Sequence, residues 1–387
     1  MEKRITYNFD RVIERRDTDS HKWKKYGDEV VPLWVADMDF PSAEPIVEAL
    51  HERVRHGIFG YTLPTDELRT VISERLKKLY RWEAEEGDII FLPGLVTGLN
   101  VAFQAYAAPG EGILAQPPVY FHFLKDPVLH GRVISDPPLV PTGDTYEIDF
   151  DRFEGTITDR TRLFVLCNPH NPVGRVFTPG ELEKLAEICL RHNLIICSDE
   201  IHCDLLYPGY RHVPIATLSS EVANRTVTLM APSKTYNLAG LHCGFAVIKG
   251  PGLRKRWRET SHGIVPGVNI MGHVAALAAY KHGRDWLDQV LAYLEGNRDF
   301  LCRYLNDHLP GIRMSRMEAT YLAWLDCRHS GIPGNPGEFF LNEAKVALND
   351  GFEFGKGGEG FARLNFACPR KTLTQALDRM GTALKRI

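Results

Sequence analysis

Lys234 lies in the run Met230, Ala231, Pro232, Ser233, Lys234, Thr235, directly after the apolar stretch Thr226 to Met230. A lysine at the end of a buried strand loses its proton cheaply, because desolvation disfavours the ammonium, and the free amine can form a Schiff base with a carbonyl. Asp199 closes a second apolar run, Leu194 to Ser198, and Asn171 follows a third, Arg162 to Cys167, within the turn-rich segment from Asn168 to Gly174. Arg363 stands in Ala362, Arg363, Leu364, Asn365, Phe366 after a glycine-rich stretch, and its planar fork suits a carboxylate. Taken singly, each has a bland alternative: a solvated lysine, an acidic helix cap, a tight Asn-Pro turn, a surface ion pair.

Together the types point to one chemistry. A pyridoxal ring accepts electrons from a carbanion only while its ring nitrogen is protonated, and a buried carboxylate such as Asp199 would keep the proton there. The Asn171 amide could donate to the phenolic oxygen of the same ring. A phosphate wants backbone amides at a helix start, and Pro93, Gly94, Leu95, Val96, Thr97, Gly98 joins the β-like Ile89 to Leu92 to an apolar helical pattern. Neither a GxGxxG fingerprint nor a Walker loop is present, so a nucleotide has little support. The cofactor expected is pyridoxal 5'-phosphate, and no metal site is expected.

These residues need a scaffold that brings strand ends together. From residue 45 to 284 helical patterns alternate with short β-rich runs, as in an α/β fold with a mostly parallel sheet. Runs that are apolar throughout suit strands covered on both faces. Ligands collect outside the carboxyl ends of such strands, which predicts that Asn171, Asp199 and Lys234 converge. Asp66 to Tyr80 reads as an amphipathic helix capped by Thr65, and Asp285 to His308 as a long one. Strands are predicted at Ala319 to Asp326 and Phe361 to Phe366, with loops at Gly331 to Gly337 and Gly355 to Gly360. Residues 45–284 are thus expected to form a large cofactor-binding domain, and 1–44 with 285–387 a smaller α+β domain.

A chain of 387 residues, 44% hydrophobic and 25% charged, has ordinary globular composition and room for a large core. Its formal net charge of −3 exerts no pull toward nucleic acid or an anionic membrane. The basic run Arg254, Lys255, Arg256, Arg258 reads as a solvated helix face. Eight scattered cysteines without a CxxC pair suit small core hydrophobes in a reducing, cytoplasmic setting. No apolar run approaches the ~20 residues needed to cross a bilayer.

Six motifs in order carry a resemblance: GYT at 60–62, PGLVTGLN at 93–100, NPHNPVGR at 168–175, SDEIH at 198–202, SKT at 233–235 and ARLNF at 362–366. With them the chain resembles the fold-type I pyridoxal-phosphate enzymes of the class I/II aminotransferase superfamily, over almost its whole length. The resemblance implies that Lys234 is the Schiff-base lysine, Asp199 the pyridinium partner, Asn171 the phenolic-oxygen donor and Tyr120 the ring stacked on the cofactor. It makes Arg363 the carboxylate clamp, with Ala36, Tyr61 and Asn171 also near the substrate. Gly94, Leu95, Val96 and Ser233 would meet the phosphate, and Tyr61 would reach the neighbouring subunit's site in a homodimer.

Within that superfamily, WVADMDF at 34–40 is similar to the WxxDMDF stretch of MalY/PatB-type carbon–sulfur lyases, the cystathionine β-lyase branch. His202 in DEIH stands where many aminotransferases carry a tyrosine, and Pro118, Val119, Tyr120 with Phe123 matches the branch. Two positions depart from the common pattern: Ala231 replaces a phosphate-binding Ser or Thr, and His242 replaces a Lys or Arg. The activity implied is elimination of a thiol from cystathionine or a related S-substituted L-cysteine, giving pyruvate and ammonia. The competing expectations are an aminotransferase, which uses the same core residues, and a binding or regulatory protein that retains the fold.

Overall fold

Thr161–Cys167, Ile195–Asp199 and Thr226–Met230 become adjacent parallel strands, in a computed structural model that describes residues 5–387. Their registers set Cys167 opposite Asp199, and Asp199 opposite Leu229, so the three chemically equipped ends finish at one level. The full sheet has seven strands in the order Ile89–Leu92, Gly244–Ile248, Thr226–Met230, Ile195–Asp199, Thr161–Cys167, Gly112–Leu114, Val133–Ser135. Gly244–Ile248 alone runs antiparallel to its neighbours.

Successive side chains leave a strand on opposite faces, and here both faces are covered, which is why these runs are apolar throughout. Leu163, Val165 and Cys167 pack with Leu95, Leu99 and Phe103 of the helix Leu95–Tyr106, whereas Phe164 and Leu166 pack with Leu182 and Leu185 of Pro179–Arg191. That second helix starts with a reciprocal capping box between Thr178 and Glu181. Gly98 lets the first one settle on the sheet: a Cβ there would lie 3.0 Å from Leu92 and 3.1 Å from Leu229.

Behind the strand ends lies a four-stranded antiparallel sheet in the order Arg313–Met314, Leu322–Asp326, Phe361–Asn365, Asn349–Asp350. Its central strand places Arg363 between Trp324 and Asn349. The helix Arg284–His308 covers this sheet with Leu287, Val290, Leu294, Leu301 and Leu305. Val31–Pro32 pairs in parallel with Val346–Ala347 and so ties the start of the chain to its end.

The amphipathic helix forms over Asp66–Tyr80, where Thr65 accepts from the Leu68 amide and Arg81 ends it in the left-handed region. The strand expected from Ala319 is shorter: Thr320 has φ 70°, which breaks extension, and regular pairing begins at Leu322. The loop expected over Gly331 to Gly337 is interrupted by the short helix Pro336–Phe339, whose proline sits in the first turn, where it needs no amide hydrogen. Arg254 is no bystander on a solvated face, because it pairs with buried Asp88 and donates to the Ile248 carbonyl.

Candidate functional site

Outside the carboxyl ends of the parallel strands, facing the second sheet, is a cavity of about 400 Å³. Lys234, Asp199, Asn171, His202, Ser233, His242, Tyr120, Arg363 and Ala36 all line it, as do Gly94, Leu95 and Val96. They come from separate turns. Asn171 follows Thr161–Cys167, Asp199 ends its own strand, and Lys234 follows Thr226–Met230 by four residues. Tyr61 is not brought there within one chain; it is fully exposed in a loop with Ile58, Phe59 and Leu63, all solvent-facing.

Lys234 keeps part of its surface toward the cavity but lies deep in the protein. Its Nζ donates to the Ala36 carbonyl at 2.7 Å. Loss of bulk water pushes the ammonium down to about 8, against the attraction of Asp37 and Asp199 and with the help of Arg363. Asp199 moves the other way: burial pushes its carboxyl up to about 7, although the Ile201 amide donates to Oδ1 at 3.1 Å. Two ionisable groups are thereby drawn toward neutral pH from opposite directions, a pattern typical of functional sites.

Arg363, only 3% exposed, is held by three acceptors: Asn171 Oδ1 at 3.0 Å, the Trp34 carbonyl at 3.0 Å and Asn349 Oδ1 at 2.6 Å. Its Nε has no partner. Because Asn171 Oδ1 accepts from Arg363, the Asn171 amide nitrogen is left to donate elsewhere. His202 is 2% exposed with an unpartnered Nδ1, and burial beside Lys234 and Arg363 pushes it down to about 3, so its imidazole is neutral. The Tyr120 amide donates to the Asn171 carbonyl at 3.1 Å, and burial pushes its phenol up to about 12.

Leu95–Tyr106 opens on the cavity with no side-chain cap. Gly94 precedes it at φ 140°, a conformation that favours glycine, and a Cβ there would meet nothing within 4 Å. Free amides at the positive end of a helix dipole suit an anion. Ser233 and His242 lie beside this end, His242 in the left-handed region with Nδ1 3.3 Å from the Pro93 carbonyl. Ala231 is buried and packs toward Gly244.

Several contributors escaped the sequence reading. Asn349 and the Trp34 carbonyl hold Arg363, and Tyr321 donates to the Ala36 carbonyl at 3.1 Å. Cys167 and Cys243 line the cavity as buried thiols. The WVADMDF segment gave a visible signal, but its place depends on distant partners. Asn365 donates to the Val35 and Asp37 carbonyls at 2.6 Å each, and Asn237 brackets Met38.

Residues 28–380 match the family model for aminotransferase class I and II, and the chain belongs to that family. It has the fold-type I architecture of these pyridoxal-phosphate enzymes. It is 40% identical over 385 residues to cystathionine β-lyase PatB of Bacillus subtilis, covering 97% of this chain and all of that protein. The crystal structure of OvoB superposes with a TM-score of 0.94 at 42% identity, covering 98% of this chain and 99% of that one. Cystalysin from Treponema denticola, which contains pyridoxal 5'-phosphate, superposes with a TM-score of 0.95 at 32% identity over 99% of this chain and 100% of that one.

Proposed function

We propose that this protein is a pyridoxal-phosphate-dependent carbon–sulfur β-lyase acting on cystathionine or a related S-substituted L-cysteine. The observation that carries the reading is the single cavity in which an amine drawn toward neutrality, a buried carboxyl, a held guanidinium and an uncapped helix start face one another. The residues present fit the cofactor. The unpartnered His202 Nδ1, the free donor of Asn171 and the open cradle at Gly94 are buried or backbone polar groups awaiting partners. Lys234 would hold the cofactor carbonyl, Asp199 its ring nitrogen, Asn171 with His202 its phenolic-oxygen side, and Tyr120 its ring face. The Leu95 and Val96 amides, Ser233 and His242 would hold the phosphate.

When bound, pyridoxal phosphate supplies an electron sink at the substrate Cα. Arg363 meets the substrate carboxylate, with Asn171 and Ala36 alongside. The Lys234 amine, far more readily neutral than an ordinary lysine, takes the Cα proton at Nζ, and the Ala36 carbonyl keeps that nitrogen aimed into the cavity. The net reaction adds water and releases a thiol, pyruvate and ammonia. Purified protein given cystathionine without a keto acid is expected to release pyruvate, whereas an analogue lacking the carboxylate stays unreacted. Product that appears only after a keto acid is added would assign an aminotransferase instead.

Tyr61 serves the neighbouring site of a homodimer, a reading supported by the contiguous exposed apolar residues Ile58, Phe59, Tyr61 and Leu63. Chains carrying Tyr61→Ala and chains carrying Lys234→Ala are each expected to be poor catalysts, while mixed dimers recover turnover at their one intact site. Absence of recovery, or full activity of Tyr61→Ala alone, would refute the shared site. The division into 45–284 and 1–44 with 285–387 is supported by the two sheets, whose strands fall on either side of it. No helix among the described residues is long and apolar enough to cross a membrane. Eight free cysteines, seven of them buried, support a cytoplasmic location.

A further inference from the structure

Asp37 and Asp39 belong to the WVADMDF segment, but their carboxylates meet cations from the N-terminal stretch of the chain. Arg15 donates to Asp39 Oδ1 at 2.5 Å and to Asp37 Oδ2 at 3.0 Å. Lys22 is 1% exposed, and its Nζ donates to Asp39 Oδ2 at 2.8 Å and to the Asp37 carbonyl at 3.3 Å. Trp23 adds a bond to Asp39 at 2.9 Å. Asp39 is thus fully partnered. Asp37 is not: its Oδ1 is buried without a hydrogen bond, with the Lys22 ammonium 3.3 Å away.

The residue before Asp37 supplies the carbonyl on which Lys234 Nζ rests, so this carboxylate, ion-paired with Arg15 and Lys22 but with one oxygen free of hydrogen bonds, is anchored one peptide from the amine. The backbone between them is braced by Asn365 and Tyr321. Other charged or titratable groups around Lys234 are Asp199, Arg363, His202, Tyr120 and Tyr321. Of the carboxylates, Asp37 exerts the larger pull on the Lys234 ammonium, ahead of Asp199.

We propose that Asp37 is the electrostatic positioning residue for the Lys234 nitrogen, and that Lys22 and Arg15 set the strength of its field. The cluster then tunes how readily the lysine holds a proton without itself touching substrate. The signs follow from Coulomb attraction. Removing the carboxylate disfavours the protonated nitrogen, whereas removing a cation that offsets the carboxylate favours it. A role confined to holding the fold gives no reason for opposite signs.

This inference rests on the proposed cofactor chemistry, and the test separates the two. The holoenzyme is titrated by the visible absorbance that reports the proton on the Lys234 nitrogen, with the acid limb of kcat/KM as a companion measurement. Asp37→Asn is expected to lower the midpoint by roughly half to one pH unit, and Lys22→Met to raise it by a similar amount. Arg15→Gln, at a more exposed position, serves as the milder variant of the same sign should Lys22→Met not fold. Lys22→Arg retains the charge and should restore a midpoint close to that of the parent. Midpoints that stay put, or that all move in one direction, overturn the proposal. A parent protein with no cofactor band at all would instead overturn the assignment of function.

Discussion

Lys234→Ala is expected to abolish turnover, lowering kcat by at least about 10⁴-fold, because it removes both the covalent anchor and the base for the Cα proton. The visible absorbance of the bound cofactor should vanish with it, and both losses are read on the same purified sample. Stability should not fall in parallel. The folded state holds the Lys234 ammonium at about 8, below its ordinary 10.5, so the stability cost of burying it grows as pH falls from 10.5 and is fully present below 8. The alanine variant escapes that cost, which offsets its lost packing, and urea unfolding of the cofactor-free proteins at pH 6 should find it little less stable than the parent. A variant that keeps substantial turnover would remove Lys234 from the chemistry altogether.

Asp199→Asn is expected to separate activity from stability in the opposite manner. Asp199 ordinarily titrates near 3.8, and burial raises it to about 7 in the folded protein. A raised carboxyl contributes stability that is complete below pH 4 and lost as pH rises through 7. Without cofactor, the asparagine variant should therefore match the parent near pH 4 and exceed it at pH 8 by on the order of 3 kcal/mol. Its amide oxygen can still accept from Ile201, so the turn survives. In the holoenzyme the same change leaves the ring nitrogen without an anionic partner, and turnover should fall by at least about 10²-fold. Denaturation of cofactor-free protein at the two pH values provides the check; a stability difference independent of pH would contradict the burial of a titrating carboxyl.

Much of this site was legible because its parts obey local rules. A strand covered on both faces must be apolar along most of its length, so Thr161–Cys167, Ile195–Asp199 and Thr226–Met230 stand out, and the chemically equipped residues lie at their carboxyl ends or within four residues beyond. The start of Leu95–Tyr106 announces itself through the Pro93-Gly94 pair and an apolar helical repeat. Local rules also failed locally. Thr320 delays the strand to Leu322 because its backbone serves a contact to the Leu205 carbonyl, and no periodicity records that demand.

Asn349 shows the limit more sharply: it touches Arg363 only because two antiparallel strands fall in that register. Lys22 looks in sequence like any solvated lysine, yet it is buried against two aspartates 15 and 17 residues away. The sequence by itself determined the alternation of strands and helices, the strand-end chemistry and, through six ordered motifs, the class of enzyme, since each depends on residues near one another in the chain. Only the tertiary structure decided which carbonyl receives Lys234, what holds Arg363, and that an N-terminal lysine pairs with Asp37. Those facts are pairings across 14 to 329 positions; folding creates them through register and packing, which leave no mark in any single stretch of sequence.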